Sequence, residues 1–312
     1  MLEIRRYTAD AANEWNNFVA QSKNGTFLFD RGYMDYHADR FDDHSLMCYK
    51  NGKLHSLLPA HIVGDTLYSH FGLTYGGLIM NIAVTAADVI ALFKELNEFL
   101  RRAGIKKVIY RPIPWIYHRH PSEEDLYAIF WQCRARLHSR NIGTTICMNQ
   151  QLAWRKDHRR RLKQAEQQCV KVVKNGSIEE FWGILEENLR KKFNAKPVHT
   201  LEEMMLLKSK FPENIIQYNA YLGDQIIGGI TFYLTPQVLH GQYSATNEAG
   251  KENGAMEAIY QRVMYEDFPS IPYLDFGSST EQQGSQVNEG LIAHKEGYGG
   301  RAICYDTYEW NL

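Results

Sequence analysis

One stretch near the end of the chain gathers acids, hydroxyls, an amide and a lysine. In "YLDFGSSTEQQGSQVNEGLIAHKEGYGG" a strand-like run ends in Asp275, and Ser279, Thr280, Glu281, Asn288 and Lys295 follow. A fixed lysine ammonium can hold the oxyanion that forms when a nucleophile attacks an acyl carbonyl. A carboxylate such as Glu281 can take the proton that the attacking amine must lose. Asp275 stands where the chain turns, and Asn288 offers an amide to a substrate. A lone lysine is ordinarily a solvated surface cation. Here Lys295 lies between Gly290 and Gly297, among polar residues that look positioned.

Three other stretches hold chemistry-bearing residues. "SATNEAGKENGAMEAIYQRV" joins a strand to a helix through a polar turn. Asn253, Gly254 and Ala255 stand at that helix start, where free N–H groups and the helix dipole favour an anion. The alternative is a plain helix entry. "SHFGLTYGGLIM" (69–80) is uncharged and holds three glycines. It is read as the wall of a cleft between domains, with Gly72, Gly76 and Gly77 admitting a substrate and His70 and Tyr75 as polar contacts. A glycine-bent strand filling the core is the alternative. "DRGYMDYHADRFDDHS" sets Tyr36 and His37 on a helix face turned toward a pocket, and its aspartates match neither a calcium loop nor a zinc helix. No metal site is expected. "WRKDHRRRLK" (154–163) has six Lys/Arg against one acid. It is either a solvated helix face or a contact for RNA or nucleotide phosphates. No Walker A, G-x-S-x-G, H-E-x-x-H or dinucleotide G-x-G-x-x-G motif accompanies these stretches.

The elements that must position them follow from periodicity. "LEIRRY" reads as a strand and "AANEWNNFVAQS" as a helix. "SLMCYKNGKLHSLLPAHIV" is a hairpin about Asn51-Gly52. Val89, Phe93, Leu96 and Leu100 form one stripe of a helix capped by Thr85 and Asp88. The second half repeats the order: strand "CVKVVKN", two helices with Ser177/Glu180 and Thr200/Glu203 capping boxes, and a hairpin about Gly223-Asp224. Then come strand "VLHGQYSAT", a helix from Gly254, strand "YLDFG", a helix over "STEQQGSQVNEGLIAHKEG" and a closing strand. Two α/β domains, 1–153 and 154–312, each a mixed central sheet flanked by helices, account for this order.

Composition sets outer limits. A net charge of −1 supplies no global field toward nucleic acid or membrane. Five widely spaced cysteines without a C-x-x-C argue against a disulfide framework or zinc site and suit a reducing cytoplasm. The opening "MLEIRRYTAD" lacks the apolar run of a signal peptide, and no stretch is long and apolar enough to span a bilayer.

The element order of the second half resembles the GNAT N-acetyltransferase fold, and two such units in tandem resemble the FemABX-type aminoacyltransferases. The local marks are "SHFGLTYGGLI", "WRKDHRRRLKQAEQQCVKV" and "LDFGSSTEQQGSQVNEGLIAHKEGYGG". The resemblance implies acyl transfer to an amine. It implies that the turn at "NEAGKENGA", which keeps Gly254-Ala255, holds the pyrophosphate of an acyl-CoA donor. For FemABX-type enzymes it implies an aminoacyl-tRNA donor and a cell-wall precursor as acceptor. Lys295 matches the family's late lysine at the acyl-transfer centre, and 154–163 matches its basic helix. The expected activity is thus an acyl- or aminoacyltransferase acting on a cell-envelope or nucleotide-linked amine. A non-catalytic binding protein that retains the tandem fold is the alternative, and tRNA binding through 154–163 is a third reading.

Overall fold

In the computed structural model, which describes residues 2–312, the strongest local signals form as expected. Asn51 and Gly52 take φ of 52° and 76°, and Lys50 faces Lys53 across the turn. Two positive φ values in a two-residue loop match the twist of the strands they join. Thr85 and Asp88 close a capping box on the Ala86–Arg102 helix, and Thr200 and Glu203 close one on Leu201–Lys210. The Ser177 pair closes only half a box. Ser177 Oγ accepts from the Glu180 N–H, while the Glu180 carboxylate accepts from the Tyr221 hydroxyl instead.

The 279–297 stretch is not one helix. Only Glu289–Gly297 is α-helical, capped by Asn288 Oδ1, which accepts from the Leu291 N–H at 3.0 Å. Gln282, Gln283 and Gly284 have φ of 49°, 56° and 90°. Three consecutive left-handed residues cannot propagate a right-handed helix.

The chain divides into two units, and the division differs from a single cut at 153/154. The first unit holds the residues up to Asn141, Glu281–Gln286 and Cys304–Leu312; the second holds Ile142–Thr280 and Val287–Ile303. The reason is strand pairing. In the first unit Lys107–Tyr110 lies between Thr66–Tyr68, parallel to it, and the closing strand, antiparallel, with Tyr308 opposite Tyr110. A second sheet there has the order Leu2–Arg6, Leu46–Lys50, Lys53–Leu58, Ile79–Met80. Trp310 enters the core around Val89, Phe93 and Leu96, and its Nε1 donates to Asn97 Oδ1 at 3.1 Å.

In the second unit the sheet order is Lys171–Lys174, Ile215–Leu222, Gln225–Leu234, Val238–Thr246, Tyr273–Ser278, then residues 143–147. The first four strands are antiparallel. Val238–Thr246 and Tyr273–Ser278 are parallel, and their ladder covers only Val238–His240 against Tyr273–Asp275. Both strands continue past that point without pairing to each other. On its other side the Tyr273 strand has a register shift between Asp275 and Ser278. No helix among the described residues is long and apolar enough to cross a membrane.

Candidate active site

The site is built where those two parallel strands stop pairing. Asp275 is fully buried. One of its oxygens lies 2.7 Å from His240 Nδ1. The other accepts from Thr145 Oγ1 at 3.0 Å and from the Gly277 N–H at 3.1 Å. Gly277 takes φ of 70°. The carboxylate thereby holds the bulge in a shape that turns backbone carbonyls off the ladder, as bulges do beside functional sites. Those carbonyls meet Lys295, whose Nζ donates to Gly277 O at 2.9 Å and to Ser278 O at 2.7 Å. An ammonium has three N–H donors, so one remains for a ligand. Burial pulls the Lys295 pKa down to about 8, against the opposing pull of the Asp275 charge. The group is therefore a cation at neutral pH that titrates in mildly alkaline solution.

Lys295 lines a pocket of about 340 Å³ formed wholly by residues of the second unit. Tyr260, Phe276 and Tyr298 make an aromatic wall, with centroids 5.1 Å apart for Tyr260–Phe276 and 4.7 Å for Tyr260–Tyr298. Leu185, Leu189 and Met256 add aliphatic surface, and Asn188, Ser244 and Thr246 add polar groups. His294 also lines the pocket. Burial, reinforced by the nearby His158, lowers its pKa to about 4, so it is neutral at pH 7.

A second buried network lies behind the aromatic wall. His158 Nδ1 is 2.8 Å from Glu257 Oε1, and the Tyr298 hydroxyl donates to the same oxygen at 3.0 Å. Burial drives the Glu257 pKa up, but the His158 and Tyr298 contacts outweigh it, and the carboxyl ends below its usual value. The network ties together the Lys156–Gln167, Ala255–Arg262 and Glu289–Gly297 helices, with Tyr298 at the C-terminal cap of the last. A Cβ on Gly297 would come within 2.5 Å of His158 Nε2, so glycine permits that close packing.

The other expected site residues have distinct placements. Asn288 caps the helix that carries Lys295. Gly254 starts the Ala255–Arg262 helix at φ of 68°, and a short helix, Glu248–Glu252, separates it from the preceding strand. A Cβ there would lie 2.3 Å from the Arg161 carbonyl, so the close approach that Gly254 allows is to the basic helix. The Asn253 amide donates to Ala249 O. Glu281 is exposed, belongs to the first unit and does not line the pocket.

His70, Tyr75, Gly76, Tyr36 and His37 all lie in the first unit. Tyr75 is buried, with its hydroxyl 3.0 Å from Thr26 Oγ1. Gly76 abuts the Ser69 carbonyl. His37 and His70 are buried with ring centroids 5.5 Å apart, and half-buried Tyr36 packs on His37. In the basic segment Trp154 and His158 are buried, while Arg155, Lys156, Arg159, Arg160 and Lys163 are exposed. A larger depression, about 610 Å³, runs along Gly183, Glu187, Arg190 and Lys196, but no buried reactive side chain lines it. The smaller pocket, by contrast, is lined by the buried Lys295.

Sequence reasoning missed His240, Glu257, Tyr298 and His158. His240 and Glu257 are ionisable residues in apolar runs, His158 lies in a basic run and Tyr298 among glycines, but the partners lie 35, 99 and 41 residues apart along the chain.

No family model and no curated protein matches the sequence. Solved structures match across nearly the whole chain. FemX superposes with a TM-score of 0.68 at 10% identity, covering 99% of this chain and 97% of its own. L-PGS from Bacillus licheniformis gives 0.61 at 12% identity, covering 98% and 92%. A tandem GNAT protein from the clavulanic acid biosynthesis pathway gives 0.56 at 9% identity, covering 100% and 98%.

Proposed function

We propose that this chain, which has the tandem GNAT fold of the FemABX-like acyltransferases, transfers an acyl or aminoacyl group to an amine, with the Lys295 pocket as the donor's place. The observation that carries the proposal is Lys295: a buried ammonium, clamped by two backbone carbonyls, with one donor left over in a pocket where two strands part. The donor carbonyl oxygen takes that third N–H. The amine nitrogen attacks the carbonyl carbon, a C–N bond forms, and negative charge moves to the oxygen beside Lys295, which stabilises it. The oxyanion then collapses and the C–S or C–O bond to the leaving group breaks. Neutral His294, or a water, takes the proton from the amine and passes it to the leaving group. Glu281, exposed and outside the pocket lining, is not given that role.

The proposed donor is an acyl-CoA or an aminoacyl-tRNA, with its phosphates toward the helix start at Asn253, Gly254 and Ala255. The proposed acceptor is a cell-envelope precursor or nucleotide-linked amine. Asp275 and Asn288 shape the second unit's pocket, Asp275 through the Gly277 turn and Asn288 as cap of the helix that carries Lys295. His70, Tyr75, Gly76 and His37 pack inside the first unit and, with half-buried Tyr36, are left out of the proposed site. Mass spectrometry of an amine library incubated with acyl thioesters and aminoacyl esters tests the reaction. Amide products that vanish with Lys295→Met support it. Stabilisation by donors and acceptors in a thermal-shift screen, with no product formed by wild type, would point instead to a binding protein. Exposed Arg155, Lys156, Arg159, Arg160 and Lys163 favour RNA as a second partner. A gel shift that weakens steeply with salt would support this, and no shift at low salt would exclude it.

A further inference from the structure

We infer that the Lys295 pocket selects an apolar acyl group and rejects acyl groups that carry an ammonium beside the carbonyl. This rests on the proposal that the pocket receives the donor. The residues lining it include two ammonium side chains, Lys192 and Lys295, and no carboxylate. Three acids near the pocket are engaged elsewhere. Glu257 takes His158 and Tyr298. Asp275 takes His240, Thr145 and the Gly277 N–H. Glu248 pairs with Lys251 at the surface.

Three nearby backbone carbonyls are engaged as well. The carbonyls of Gly277 and Ser278 hold Lys295, and the Thr246 carbonyl accepts from the Asn188 amide. A donor whose carbonyl oxygen meets Lys295 would bring an α-ammonium within a few ångströms of a like charge, with no counter-charge to meet it. Unpaired charge in a partly desolvated site is disfavoured, and like charges at such range repel strongly. A hydrocarbon tail meets the opposite conditions: Leu185, Leu189 and Met256 beside the rings of Tyr260, Phe276 and Tyr298. Selection here works by a repulsive element as much as by a fitted one.

A matched pair of non-transferable probes isolates the charge: 4-methylpentanamide and leucinamide, which differ only at the α-position. Each is titrated into the full ¹⁵N-labelled chain near about pH 6.5, where the α-amine is protonated. Resonances of Ser244, Ala245 and Thr246 report occupancy. The expected result is that 4-methylpentanamide binds about tenfold or more tightly than leucinamide. Lys192→Met, a change at an exposed side chain, should narrow the gap, and Leu189→Glu should close or reverse it. Equal or tighter binding of leucinamide overturns the selectivity while leaving the donor pocket standing. No perturbation of those resonances by either probe overturns the pocket's role, and the selectivity with it.

Discussion

Replacing Lys295 by methionine should change both turnover and the pH dependence of stability, for one electrostatic reason. The ammonium lies buried among its carbonyl partners and titrates at about 8, against a usual lysine value of 10.5. Its folded-state pKa is lowered, so between about pH 8 and 10.5 the unfolded chain binds more protons than the folded one. Stability attributable to this residue therefore rises with pH across that window. A shift from 10.5 to about 8, at about 1.4 kcal/mol per unit, caps the effect near roughly 3 kcal/mol. The assay is urea unfolding of wild type and Lys295→Met at intervals from about pH 7 to 9.5, within that window. The wild-type minus variant difference should climb with pH, starting near 8. Turnover should behave inversely. A role as oxyanion donor needs the ammonium, so wild-type activity should fall as pH rises through about 8. The variant should lose about 10²–10³ in kcat at neutral pH, as when one oxyanion-hole donor is removed. Parallel stability curves would refute the burial argument. A Lys295→Met variant that keeps wild-type kcat and its pH profile would refute the cationic role.

Three further outcomes follow from neighbouring contacts. Asp275→Asn removes the charge that holds the Lys295 pKa up, so the alkaline limb of the pH–activity profile should move below about 8. An unmoved limb would show that the two groups are not coupled. Gly254→Ala places a Cβ at 2.3 Å from the Arg161 carbonyl at φ of 68°, whereas Gly52→Ala at φ of 76° meets nothing within 4 Å. Urea unfolding should show a loss of about 1 kcal/mol for Gly52→Ala and clearly more for Gly254→Ala. Equal losses would contradict the helix-packing role of Gly254. Met256→Trp fills the pocket from its half-buried wall and should cut turnover at least about tenfold with the melting temperature nearly unchanged. Full activity would move the donor elsewhere.

The sequence made local structure legible and long-range pairing only partly so. The Asn51-Gly52 hairpin and the Thr85 and Thr200 boxes formed because their determinants lie within four residues. Lys295 and Asp275 stood out for a similar reason: both fall in one polar stretch between the last strands. His240 could not be linked to Asp275 from the sequence, because only the parallel ladder sets them side by side. Glu257 sits in an unremarkable amphipathic helix, and its meaning comes from His158 and Tyr298 on two other helices. The helix expected through 279–288 fails on backbone conformation. Neither Gln282 nor Gln283 is a residue type that announces a left-handed φ.

The late return of the chain to the first unit has a consequence for how the protein is made. Trp310 completes a core whose other members, Val89, Phe93 and Leu96, leave the ribosome some two hundred residues earlier. During synthesis that early segment must wait with part of its apolar surface uncovered, while the second unit's core, all drawn from 146–298, can close first. The order of maturation thus runs against the order of translation. The first unit's closure is the more non-local of the two, the kind of contact that forms slowly.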